Sequence, residues 1–270
     1  MAYRKRNSTI YSILILICIV GFWLFENFYT PASYSTNKGG RDSNHFPKEL
    51  LPTSTTGEIV NHAYFSLSYS ELYEQAEWVA YTLDKSHLTY DDRKRPYFIE
   101  DPYVSSKSAD WRNYKRSGYD RGHLVPAGDR RFSLQAYNET FYTSNISPQN
   151  KEFNAGIWND LERQTRRWAK KYGTLYIYTG GVLESGLEEI GQEDVDVPDV
   201  FYKIIARRQG DELTTIAFLI PNEPQFAKLP NFITSIDAIE KVTGIDFFAE
   251  LPEAQQNAFE NSRNTTGWPF

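Results

Sequence analysis

Residues 119–126 read Tyr119-Asp120-Arg121-Gly122-His123-Leu124-Val125-Pro126 and contain one of only four histidines in the chain. An unperturbed imidazole titrates at about 6.5, so His123 can move a proton near neutral pH. Arg121, two residues earlier, can hold a phosphate with a planar fork of donors. Gly122 permits a sharp bend or a close approach to a ligand, and Pro126 stops an interior strand from continuing. The bland alternative is an exposed turn with a hydrogen-bonded histidine, and the residues downstream decide between the two.

Those residues are rich in amide side chains. Thr143-Ser144-Asn145-Ile146-Ser147-Pro148-Gln149-Asn150 is followed by Phe153-Asn154, Trp158 and Leu161-Glu162. Hydrolysis of a phosphodiester needs an activated water, charge relief on the phosphoryl oxygens, a stabilised leaving group and correct placement. A histidine supplies the first and arginines the second. A hard cation supplies the third, and Mg2+ accepts amide and carboxylate oxygens while keeping most of its waters. One asparagine ligand with several waters is chemically sensible.

These motifs resemble those of the DNA/RNA non-specific endonucleases, which have a ββα-metal (His-Me finger) core. The likeness is carried by Asp120-Arg121-Gly122-His123 with Pro126, by Ser144-Asn145-Ile146-Ser147-Pro148-Gln149, and by Asn154 with Trp158 and Leu161-Glu162. It extends to Gln75-Ala76-Glu77-Trp78-Val79-Ala80-Tyr81, and to Val197-Pro198 with Phe201-Tyr202-Lys203. It covers roughly residues 58–250, and four motifs in order make it specific. The resemblance implies roles position by position. His123 is the expected general base and Asn154 the single protein ligand of hydrated Mg2+, with Mn2+ as a substitute. Glu162 is expected to hold the metal's waters and Asn145 to orient the site loop. Arg121 and an upstream arginine are the expected phosphate clamps. For the upstream one Arg95 fits best, before Phe98 and Asp101-Pro102, with Arg93 as the rival. Arg166 is a further candidate for the scissile phosphate. On a continuous helix Glu162 would lie about 12 Å along the axis from Asn154, so direct ligation beside it is not expected. Each residue also has a plainer reading: Asn154 as a helix cap, Glu162 as an i,i+4 ion-pair partner of Arg166, Asn145 as a turn residue. Trp158 and Trp168 read as core.

Composition bounds the rest. The chain has 270 residues, 40 % hydrophobic and 16 % aromatic, which excludes global disorder. Its single cysteine, Cys18, excludes an internal disulfide framework or a cysteine zinc site. The net charge of −6 argues at first against a nucleic-acid partner, but residues 93–171 carry 16 Lys/Arg against 9 Asp/Glu. Basic charge is therefore gathered around His123, where it suits a polyanion such as DNA or RNA.

The elements that must position these residues follow from pattern. Arg4-Lys5-Arg6 and an apolar run from Ile10 to Phe25 make residues 1–29 a single transmembrane anchor or a cleaved signal. An uncleaved anchor is preferred, because no small-x-small site directly follows the run, although Ala32 is a rival cleavage position. The basic residues then put the remainder on the extracytoplasmic side, periplasmic or extracellular. Residues 30–57, rich in Ser, Thr, Pro, Gly and Asn, read as a flexible linker with His45 a bystander. Residues 58–262 form the expected endonuclease domain and 263–270 a frayed tail. Within the domain, 63–69 reads as a strand. Residues 74–83 read as a two-sided central strand, with Ala76, Trp78 and Ala80 on one side and Val79, Tyr81 and Leu83 on the other, a helix being the alternative. His62 and His87 sit at element ends, away from chemistry. A short helix is expected over 132–140, a short strand over 141–143, and a strong helix from Asn154 to Gly173. A strand over 175–179, a loop over 184–199, a hairpin over 200–220 around Gln209-Gly210-Asp211, and helices from Thr234 or Ser235 to Gly244 and from near Pro252 complete the chain. Strands and helices do not alternate regularly, so the expected class is α+β: a central, mostly antiparallel sheet flanked by helices.

The expected function is a membrane-anchored, Mg2+-dependent endonuclease that cuts DNA and RNA with little sequence preference. A nuclease fold that binds without cutting and a phosphodiesterase for another anionic polymer are the rivals. The oligomeric state is open, a homodimer included.

Overall fold

The structure is a computed structural model that describes residues 2–30, 34, 46–210, 212–263 and 265–270. It divides into two units, 1–32 and 33–270. The first is helix α1 (Ala2–Phe28), whose stretch Ser8–Phe25 is the one segment among the described residues long and apolar enough to cross a membrane.

The second unit is α+β. Its strands are β1 (Glu58–Asn61), β2 (Ser66–Ser70), β3 (Gln75–Leu83), β4 (Asp120–His123), β5 (Ile146–Gln149), β6 (Leu175–Gly181), β7 (Glu188–Ile190), β8 (Val195–Val197), β9 (Val200–Gln209), β10 (Glu212–Pro221) and β11 (Ile233–Thr234). Its helices are α2 (Leu134–Glu139), α3 (Lys151–Phe153), α4 (Asn159–Tyr172), α5 (Ile236–Thr243) and α6 (Glu253–Phe259). Seven strands form one sheet in the order β1-β2-β3-β6-β9-β10-β11, and every neighbouring pair is antiparallel. β4 and β5 pair antiparallel outside it, and so do β7 and β8.

Both faces of the large sheet are covered. Trp158, Leu161, Trp168 and Ala169 pack with Val79, Tyr81, Phe201 and Ile205 on one face. Ile236, Ile239, Phe247, Phe248 and Phe259 pack with Trp78, Ala80, Tyr202 and Ile204 on the other. Fully burying such a side chain contributes about 1.5–3 kcal/mol. This two-sided burial explains why β3 and β9 lack an apolar–polar alternation. Ala76 departs from the expected side. Ser68 pairs with Trp78 and Tyr69 with Ala76, so Glu77 is an extra residue, and this bulge turns Ala76 to the Val79 face. The Glu77 carboxylate accepts bonds from Thr56 N at 2.9 Å and Ser68 Oγ at 2.8 Å.

Several segments differ from their sequence reading. Residues 184–199 contain the β7–β8 hairpin, because Ile190, Val195 and Val197 join a third apolar cluster despite the acidic residues around them. Residues 141–143 are not a strand. Tyr142 makes a single bridge to Ile99, and a 3-10 turn follows over Thr143–Asn145. Of the expected linker, 31–33 and 35–45, with His45, lie outside the described residues. From Phe46 the chain is packed: Leu50 is fully buried, and Phe46 meets Tyr178 edge-on at 5.6 Å. The tail is also held. Trp268 is buried against Trp168 at 5.0 Å, and the Pro269 carbonyl accepts from Trp168 Nε1 at 2.8 Å.

The helix expected from Asn154 starts earlier. Asn150 is its cap, its Oδ1 accepting from Glu152 N and Phe153 N, and Asn154 lies one turn inside. Residues Asn154–Trp158 then adopt wider, π-type turns with a break at Gly156 (φ −96°, ψ −110°) before α4 begins. The capping alternative for Asn154 is therefore set aside, and the continuous helix assumed for the Asn154–Glu162 spacing is absent. Gly173 ends α4 at φ 89°, as read from the sequence, and of the two starts left open for α5, Thr234 and Ser235, Ser235 is the cap.

Candidate active site

β4 carries the first group of side chains. Residues two apart on a strand project from one face, so Arg121 and His123 lie together. Gly122 makes the strand pair tight: a Cβ there would lie 2.1 Å from the Gln149 side chain on β5. β5 is fastened to the large sheet. Ser147 Oγ donates to Gln75 Oε1 at 2.6 Å, and Asn222 Nδ2 donates to the Pro148 carbonyl at 3.1 Å.

Asn145 is fully buried and holds the backbone after His123. Its Oδ1 accepts from Val125 N at 2.8 Å, and its Nδ2 donates to the carbonyls of Val125 at 3.1 Å and Thr140 at 2.9 Å. All three bonds go to backbone, so the loop 124–126 is set by this one amide.

The His123 ring sits in an aromatic corner, 5.7 Å from Phe98 and 4.9 Å from Phe141. Its Nε2 is buried with no hydrogen-bond partner. Burial, then the positive charges of Arg95 and Arg121, push its pKa down to about 3, so the imidazole is neutral at physiological pH. The two guanidiniums share one ring: Arg121 lies 4.7 Å and Arg95 5.2 Å from the centre of Phe98. Among the described residues, neither arginine is in an ion pair. Two guanidiniums outside any ion pair, with Asp120 the one carboxylate acting on Arg121, gather positive charge beside a neutral histidine, as an anion would require. Arg93 lies elsewhere, donating to the Arg131 carbonyl at 2.9 Å and to Asp91 at 3.0 Å.

The second group comes from the helix after β5. Asn154 Nδ2 donates to Asp120 Oδ2 at 3.0 Å. Glu162 Oε2 accepts from Arg166 Nη2 at 3.2 Å, and Arg166 Nε donates to the buried Asp129 at 2.5 Å. Arg166 is thus held by two carboxylates. Tyr81 also donates to Asp129, at 3.1 Å. Burial raises the Glu162 pKa, Arg166 and Lys203 oppose that rise, and Asp129 adds to it. Amide and carboxylate oxygens are the donor types a hard, hydrated divalent cation takes, and Asn154 and Glu162 offer one of each.

Sequence reasoning gave no role to three of these groups. Asp120 and Lys203 stood in the motifs that carry the resemblance without a function of their own, and Asp129 was not singled out. Asp129 and Lys203 are separated from Glu162 by long stretches of chain. Lys203 occupies a core-facing position on β9, with Nζ 4.8 Å over the Trp158 ring and no hydrogen-bond partner. Burial brings its pKa down to about 8. A lysine inside the apolar run Val200–Ala206 was the signal that could have found it.

Comparison with known proteins now decides the relationship. The sequence model of the DNA/RNA non-specific endonuclease family matches residues 42–254, which include every side chain just described. The chain belongs to the DNA/RNA non-specific endonuclease family. Its similarity to family members is substantial. It is 36 % identical over 211 residues to the Xenopus laevis protein named Nuclease EXOG, mitochondrial, covering 72 % of this chain and 58 % of that one. It is 34 % identical over 225 residues to the Saccharomyces cerevisiae Mitochondrial nuclease, covering 74 % and 68 %. The chain thus spans less than two thirds of the length of the EXOG relatives it matches. A chain in the crystal structure of the EndoG/EndoGI complex superposes with a TM-score of 0.70 at 29 % identity, covering 83 % of this chain and 96 % of that one. The endonuclease family match begins at residue 42, upstream of β1, where the packing of Phe46 and Leu50 has already joined the chain to the sheet.

Proposed function

We propose that this family member is a metal-dependent endonuclease that hydrolyses phosphodiester bonds of DNA and RNA with little sequence preference. One observation carries the reading: a neutral histidine stands beside two unpaired guanidiniums that share the Phe98 ring. Such a group accepts a proton and holds a phosphate at once.

The roles follow from the chemistry of each side chain. His123 takes the proton of the attacking water. Its Nε2 is sealed, so the exchange falls to Nδ1. Arg95 and Arg121 hold the non-bridging phosphate oxygens, and Asn145 keeps the loop beyond His123 in register. Asn154 offers its amide oxygen to Mg2+, with Mn2+ as a substitute, and Glu162 accepts hydrogen bonds from the ion's waters. When bound, the ion supplies charge relief to the leaving oxygen. Arg166, fixed between Asp129 and Glu162, acts as a positioning residue; a phosphate would have to displace one of these carboxylates. β4, β5 and the following helix support a ββα-metal reading. Contacts to phosphate rather than to base edges suit both polymers, since phosphate carries no sequence information. Helix α1 supports a membrane anchor with the domain on the side opposite Arg4-Lys5-Arg6.

The test is cleavage of plasmid DNA and of a folded RNA by the purified full-length chain in detergent, with MgCl2 or EDTA. Mg2+-dependent fragmentation of both is expected. Intact plasmid with a retained mobility shift would make the protein a binder. Cleavage of small diesters that nucleic acid does not compete away would point to another polymer.

A further inference from the structure

The opposite face of the large sheet carries a second cluster of charge. Asp237 and Glu240 lie in α5, and Glu260 directly follows α6. One carboxylate oxygen from each lies within 4.8 Å of the others. Ca2+ binds oxygens at roughly 2.3–2.6 Å, so two ligands on opposite sides of one ion stand about 4.6–5.2 Å apart. Three oxygens inside that span can touch the same ion.

A cluster of acids on a surface would mean little. Glu260 is different, because it is only 8 % exposed and its Oε1 is buried with no hydrogen-bond partner. Such an orphaned carboxylate oxygen is costly unless something neutralises it. No cationic side chain does so: among the described residues, none of Asp237, Glu240 and Glu260 is in an ion pair. Glu240 has one oxygen committed, since Oε1 accepts from Phe247 N at 2.8 Å, and its other oxygen is left over.

We propose that Asp237, Glu240 and Glu260 bind a divalent cation of the Ca2+ type, which clamps α5 to the end of α6 on the side of the sheet away from Asn154. The all-oxygen donor set selects a hard ion over zinc, which favours nitrogen and sulfur. Asp237 is exposed, which gives water access to complete the coordination. The two segments already touch through one backbone bond, Asp237 N to the Glu260 carbonyl at 3.2 Å. The ion adds a bridge across the same contact and stabilises the folded state by binding it alone.

The experiment is thermal unfolding of the full-length chain in detergent, with EDTA or with millimolar CaCl2. The Asn154→Ala variant is run beside the wild type so that the catalytic region does not report. Calcium should raise Tm by several degrees in both. Glu260→Gln should lose that rise, gain stability over the wild type in EDTA, and keep full cleavage activity in saturating MgCl2. Asp237→Asn, at the exposed rim, should reduce the rise and provides the readout if Glu260→Gln does not fold. No calcium-dependent rise in the wild type, or a full rise in both carboxylate variants, would overturn the proposal.

Discussion

Asn154 donates its Nδ2 to Asp120 Oδ2 at 3.0 Å, so a residue of the β4 strand fixes which way the helix asparagine presents its amide. The donor end is engaged by a carboxylate, and in the proposed reading the oxygen end is the one that meets the cation. Partners of this kind orient metal ligands, and their loss typically weakens metal affinity about 10–100-fold. Asp120→Ala should shift the Mg2+ titration of cleavage by about that factor. Asp120→Asn, which still accepts a hydrogen bond, should recover much of it, and Asn154→Ala should lose most Mg2+ response. An unchanged titration in Asp120→Ala would detach this contact from the metal.

Arg95 and Arg93 are two residues apart in sequence and serve different neighbours. Arg95 shares the Phe98 ring with Arg121, whereas Arg93 is bonded to Asp91 and the Arg131 carbonyl. Charge-assisted bonds contribute about 1.5–3 kcal/mol, so Arg95→Ala should lower kcat/KM by about one to two orders of magnitude. It should also flatten the salt dependence of substrate binding. Arg93→Ala should stay within a few-fold of the wild type. Equal losses in the two variants would contradict the assignment.

The histidine sets two pH signatures. Its folded-state pKa, about 3, lies below the ordinary value of the unfolded chain. Below about pH 6.5 the unfolded state takes up the proton first, so the contribution of His123 to stability is complete above that value and is lost as pH falls toward 3. Removing the ring should make unfolding less sensitive to acid in that window, measured by denaturant titration. In kinetics, the acid limb of kcat/KM should fall well below about pH 6.5, and Arg95→Ala should move it upward by removing one positive neighbour. An acid limb at an ordinary imidazole value, unmoved by Arg95→Ala, would contradict the electrostatic account.

Gly122 is required by contact rather than by backbone angle. A Cβ placed there meets the Gln149 side chain, whose amide is buried without a partner. Overpacking of this kind costs about 1–3 kcal/mol. Gly122→Ala should lower Tm by several degrees and reduce kcat more than it raises KM, since it displaces the strand that carries His123. A variant with wild-type Tm and kcat would mean that the β4–β5 pair yields freely.

Legibility in the sequence tracked how local the cause was. The β9–β10 hairpin, the Ser235 cap with Gly244, and the two-sided burial of β3 were readable, because each is written in consecutive residues. The helix start was misread. Lys151 and Glu152 are polar, so the apolar period begins too late to reveal Asn150 as the cap. The β7–β8 hairpin was hidden because its acidic residues outnumber the three apolar ones that bury it. In the site, His123 and Asn154 stood out through their motifs. Arg95 and Arg121 were paired as clamps by resemblance, but their stacking on Phe98 and the Lys203–Trp158 contact were not legible, since each joins segments far apart in the chain: residues 95–98 with β4, and residue 158 with β9.

The central claim is that the His123 imidazole carries the proton in cleavage. It is tested most directly by His123→Gly assayed on plasmid DNA in MgCl2, with and without added imidazole. Losing a general base costs about 10²–10⁴ in rate, so cleavage should fall by that factor. Added imidazole should restore a measurable part of it, and the restored rate should still require Mg2+. Cleavage within a few-fold of the wild type, or a full loss that no concentration of imidazole relieves in a folded variant, would contradict the account.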